Sequence, residues 1–78
     1  MANDKMNLEE IIKDKNGNKI KVQLIGQDGN AFAILGRCTT AMSLAGVPKE
    51  QRDAFIREAT SGDYNHLIQT TIRYFDAR

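Results

Sequence analysis

One run of this sequence can hardly be anything but a buried helix. From Ala31 to Ala45 only Arg37, Thr39, Thr40 and Ser43 carry polar side chains. A helix that is apolar on most sides belongs at the centre of a fold. Phe32, Leu35, Thr39 and Met42 make one stripe at helical spacing, and Ile34, Cys38, Ala41 and Ala45 make the next. The run is entered through Gly26-Gln27-Asp28-Gly29-Asn30, a glycine-rich turn in which Asp28 or Asn30 can cap the first helical N–H groups. Gly46 follows as a natural helix stop. Gly36 is out of place, because glycine costs about 1 kcal/mol against alanine inside a helix. With Ala33 and Thr40 it makes a small-residue strip that lets another backbone come close.

Upstream, Lys19 to Ile25 alternates. Ile20, Val22 and Leu24 fall on one face, and Lys19, Lys21 and Gln23 on the other. This strand needs a partner. Asn16-Gly17 is a strong hairpin signal, so residues 9–14 are expected to pair back onto 19–25. Leu8, Ile11 and Ile12 would also share a helix face, so a helix over 8–15 stays open, as does a single strand paired across an oligomer. Downstream, Pro48 to Thr60 reads as a second helix with a sparse apolar face of Phe55, Ile56 and Ala59. Asp63 caps a third helix carrying Tyr64, Leu67, Ile68, Thr71, Ile72 and Phe75. Arg73 and Tyr74 read as surface residues, and Asp76-Ala77-Arg78 as a frayed end. The expectation is an α+β fold: a flexible N-terminus over 1–7, then a single domain over 8–78, with a β-hairpin followed by three short helices.

The chain has 78 residues, one cysteine and one histidine. An internal disulfide is therefore impossible, and a structural zinc site lacks its four ligands. No cofactor or metal is expected. At this size a single core is marginal, which favours a homo-oligomer. Eleven bases and ten acids are interleaved, for a net charge of +1. Nucleic-acid binding is not expected without a basic patch. No apolar stretch nears the roughly 20 residues of a membrane span, and no signal-peptide pattern opens the chain. These features suggest a cytoplasmic protein.

No serine–histidine–acid order, carboxylate pair or metal-ligand spacing stands out, so no catalytic residue is assigned and an enzyme is not expected. Cys38 reads as core and His66 as a first-turn surface residue. The strand-to-helix turn could offer backbone N–H groups to an anion, although it is neither a P-loop nor a dinucleotide fingerprint. The candidate ligand-binding residues are Gly29, Asn30, Ala31 and Phe32 at the helix start, Arg37 for charge, and Tyr64 and Asn65 from a neighbouring segment. The plain alternative is a tight, capped turn with no ligand.

Two stretches, Gly26-Gln27-Asp28-Gly29-Asn30-Ala31-Phe32-Ala33-Ile34-Leu35-Gly36-Arg37 and Ser61-Gly62-Asp63-Tyr64-Asn65-His66-Leu67, with Ala45-Gly46-Val47, Ala54-Phe55 and Glu58-Ala59 between them, resemble a group of short proteins encoded by bacteriophages, prophages and bacteria. The likeness covers about residues 20–75 and brings no catalytic motif with it. It implies a phage accessory protein acting in the cytoplasm of a host bacterial cell. Such a protein would sequester a small anionic or nucleotide-like immune signal. The alternative is a protein–protein inhibitor or adaptor that acts on a host defence protein.

Overall fold

A computed structural model describes residues 12–24, 26 and 29–78. The expectations for residues 1–7, for residues 8–11 as strand or helix, and for Asp28 as a cap lie outside the described residues. In chain order the elements are β1 (Ile20–Val22), α1 (Ala31–Leu44), α2 (Lys49–Ala59), α3 (Tyr64–Tyr74) and β2 (Phe75–Ala77). This is a small α+β fold with the three expected helices.

The described partner of β1 is the C-terminal segment. β1 and β2 form a two-stranded parallel sheet with Ile20 opposite Phe75, Lys21 opposite Asp76 and Val22 opposite Ala77. Beyond the strands, Leu24 N donates to Arg78 O and Arg78 N donates to Val22 O. The segment expected to fray is thus a strand. The Asn16-Gly17 turn does form. Asp14 Oδ1 accepts from the N–H groups of Asn16 (2.8 Å) and Asn18 (2.9 Å), and Asp14 N donates to Asn18 O. Ile12, Lys13 and Asp14 carry no strand; Ile12 instead is wholly buried in the core. Parallel strands need a long crossover, and α1, α2 and α3 supply it.

Three helix boundaries have a plain chemical cause. Asn30 Oδ1 accepts from Phe32 N at 2.8 Å and starts α1. α1 stops at Gly46, whose φ of 86° is the left-handed value that glycine tolerates. Gly46 N then donates to Ser43 O and Val47 N to Met42 O, the paired bonds of a Schellman stop. Asp63 Oδ1 caps α3 by accepting from His66 N at 2.9 Å.

The core gathers Ile34, Cys38 and Met42 from α1, Phe55 and Ala59 from α2, Leu67 and Tyr74 from α3, and Ile20, Val22 and Phe75 from the sheet. Phe55 is its hub. It meets Tyr74 edge-on at 5.9 Å and Phe75 at 5.1 Å, and such pairs add about 0.5–1.5 kcal/mol each beyond burial. Tyr74 is therefore a core residue rather than a surface one. Phe32 departs the other way: the apolar stripe included it, yet its side chain is 83% exposed.

If β2 is integral, Phe75→Ala should cost about 3–5 kcal/mol, the usual range for truncating a buried phenylalanine. Ile72→Ala, at a position 54% exposed on α3, should stay within about 0.5 kcal/mol. Urea denaturation of the two variants measures the difference; equal small losses would mean that the C-terminal strand is not part of the folded unit.

Candidate functional site

The two glycine-containing stretches are brought together by one hydrogen bond, and several of their other polar groups serve local caps and turns. Tyr64 Oη donates to Gly29 O at 2.6 Å, tying the start of α3 to the start of α1. The Phe32 N–H, expected to meet an anion, is taken by Asn30. Asp63 spends its carboxylate on His66 N. Beside them, Ala31, Phe32, Leu35, Tyr64 and Leu67 line a small hollow of about 250 Å³. Asp63 is the only charged residue among its described lining residues. The Phe32 N–H and the Asp63 carboxylate are thus engaged within the chain. Asn65 is exposed at the edge of this region.

The rest of the second stretch has equally structural tasks. Ser61 Oγ donates to Glu58 O at 2.7 Å and closes the end of α2. The His66 Nε2 atom lies 2.9 Å from Glu58 O, 3.1 Å from Ser61 Oγ and 3.4 Å from Glu58 Oε2. A carbonyl can only accept, so at 2.9 Å Nε2 must carry a proton. With the serine hydroxyl already donating to the same carbonyl, Nε2 is no base for Ser61. The acid also lies on the wrong ring nitrogen for a triad, in which serine and acid flank opposite nitrogens. Gly62 makes the approach possible, since a Cβ there would stand 2.9 Å from His66 Cβ and Cγ.

Arg37 does not join this group. Five residues separate it from Phe32, which places the two about 140° apart around the helix axis. Arg37 instead borders a different groove, of about 530 Å³, between β1 and α1. Ala33, Gly36, Ala41 and Leu44 form its α1 side, with Thr40; Lys21 and Val22 of β1, with Gln23 just after it, form the other. Lys21 and Arg37 give the groove two cations, and no acid is among its described lining residues. The acid opposite Lys21 in register, Asp76, is held by Arg78 at 2.9 Å. That hydrogen bond keeps the Asp76 carboxyl below its usual range, assisted by the charges of Arg78, Lys21 and Lys19. A second hollow shares Lys21, Val22 and Gln23 and is bordered by Arg78.

Gly36 faces this groove in the middle of α1. Its φ is not positive, so the backbone does not require glycine. A Cβ there would meet nothing within 4 Å, so no other part of the described chain requires it either. Lys21 is the residue that sequence reasoning missed. The alternation of β1 showed that it points outward, but nothing in the sequence said that α1 would lie alongside.

Cys38 is fully buried. Burial pushes its thiol from 9.0 up to about 11, opposed by a hydrogen bond with Thr71 and the charge of Arg37. Among the described residues no His/Cys/Asp/Glu group could hold a metal ion, and no helix is long and apolar enough to cross a membrane. No family model, curated protein or solved structure matches the chain.

The Cys38 thiol should therefore be inert in the native protein. With its pKa near 11, only about one thiol in a thousand is ionised at pH 8, and the thiolate is the reactive form. An aromatic disulfide reagent should label it only after denaturant is added; fast labelling of the native protein would contradict this burial. The unfolded chain loses this proton first as pH rises, so the Cys38 contribution to stability is intact below pH 9.0 and declines toward pH 11.

Proposed function

We propose that this protein is a non-enzymatic binding module that captures a small anionic, nucleotide-like ligand in the groove between β1 and α1. The observation that carries this reading is the placement of Lys21 and Arg37 on the two sides of one groove without an acid among its described lining residues. The guanidinium offers a planar fork suited to phosphate or carboxylate, and the ammonium a compact charge. The groove volume lies within the roughly 300–1,000 Å³ common for ligand sites. The helix-start residues Gly29, Asn30, Ala31 and Phe32, with Tyr64 and Asn65, then serve the scaffold rather than the anion. The resemblance to phage- and prophage-encoded proteins supports an accessory role in a host bacterial cell, with capture of a nucleotide immune signal as the biological purpose.

Inorganic pyrophosphate is the simplest probe. Calorimetric titration at low salt should show saturable binding that weakens as salt is added, because both cations are near solvent. Arg37→Gln should lose about tenfold or more in affinity, in line with about 1.5–3 kcal/mol for hydrogen bonds to charged groups. Lys21→Gln should lose several-fold, and Lys49→Gln, on the far-exposed face of α2, nothing. Equal losses in all three variants would reduce the effect to general surface charge and remove the groove from consideration.

A second reading rests on a separate observation. Phe32 and Tyr64 are 83% and 50% exposed beside the same small hollow. Exposed aromatics around an apolar pocket suit a protein partner, either a second copy in a homo-oligomer or a host defence protein that the module inhibits. Phe32→Ser should leave the thermal midpoint nearly unchanged while abolishing self-association seen by light scattering or the retention of a stoichiometric partner. If the variant keeps both, Phe32 is not a docking residue.

A further inference from the structure

Resting on the groove reading above, we propose that the ligand is a phosphate ester carrying a flat apolar ring, and that Gly36 is the residue that makes room for the ring. An inorganic anion would need only the two cations. The groove offers more than those: Ala33, Gly36 and Ala41 provide apolar surface of low relief, and Leu44, 81% exposed, adds an apolar side chain beside it. A ring laid on this floor would bury its face against small side chains and the bare backbone at Gly36. Its phosphate would then sit toward Lys21 and Arg37.

Gly36 is the independent sign. It lies inside a 14-residue helix, where glycine is disfavoured. Neither its backbone angles nor a neighbouring atom within the described chain explains it. An occupant of the groove does. A second copy of the chain is the less suitable occupant on grounds of charge. Two-fold contacts place the same patch against itself, and this patch carries Lys21 and Arg37 with no acid among its described lining residues, so two surfaces of like charge would meet. A small anion suits a patch of that sign.

The pair of probes that separates ring from phosphate is ADP and inorganic pyrophosphate, titrated calorimetrically against the wild-type protein, Gly36→Ala and Gly36→Leu. ADP should bind at least tenfold more tightly than pyrophosphate. Gly36→Ala should raise the thermal midpoint, since the methyl meets nothing, and yet weaken ADP several-fold. Gly36→Leu should erase the ADP advantage. Both variants should leave pyrophosphate affinity within twofold. If ADP binds no better than pyrophosphate, or Gly36→Leu keeps the ADP advantage, the ring assignment is overturned while the anion groove stands. If neither probe binds the wild-type protein, the groove reading itself is overturned. If Gly36→Leu converts a dimer to a monomer without changing ADP affinity, the floor belongs to a second copy and the ring assignment falls.

Discussion

The short parallel pairing of β1 with β2 is the constraint on which the rest depends. A two-stranded sheet has little stability of its own, so it persists here because its inner face is part of the core. Phe75 enters the strand directly from α3 and packs on Phe55, which also holds Tyr74. The pairing fixes β1 against the helical body, and through β1 it fixes Lys21 beside α1. β2 and the packing of Ile20 and Val22 in the core together position the β1 side of the groove. Packing in the interior and charge at the surface are thus connected through three pairs of residues in register.

The polar residues of the two glycine-containing stretches show how a small domain uses its side chains economically. Asn30 and Asp63 start helices, Ser61 ends one, Gly62 admits His66, and Tyr64 ties one stretch to the other. A cluster of Gly, Asn, Asp and His looks like chemistry when only its composition is considered. Here most of it satisfies the unpaired N–H and C=O groups that every helix end exposes. The residues that lack such a task, Gly36 and Lys21, attract less notice and border the larger groove.

The helices were legible because their periodicity is long and their caps are chemical. Asn30, Gly46 and Asp63 do in the structure what their side chains predict. The sheet partner was not legible. Phe75-Asp76-Ala77 is too short for alternation to register, and Phe75 also fits the apolar stripe of α3, so the segment reads as a helix end. The Asn16-Gly17 turn competed with it by offering a local partner. Phe32 was misplaced for a related reason: helical spacing identifies stripes but not how far the core extends toward the helix start. The candidate site was legible only in part. Arg37 and the anomaly of Gly36 could be picked out, whereas their neighbour Lys21 depends on a tertiary contact between α1 and β1.

The central claim is that the ligand site is the β1–α1 groove and that the glycine-rich turn is scaffold. Backbone amide chemical-shift mapping of the isotopically labelled protein with ADP tests it most directly. The account predicts that shifts concentrate at residues 21–23 and 33–41, with the amides of Asn30, Phe32 and His66 unmoved. Shifts concentrated at residues 29–32 and 62–66, with 33–41 silent, would contradict it and return the site to the capped turn.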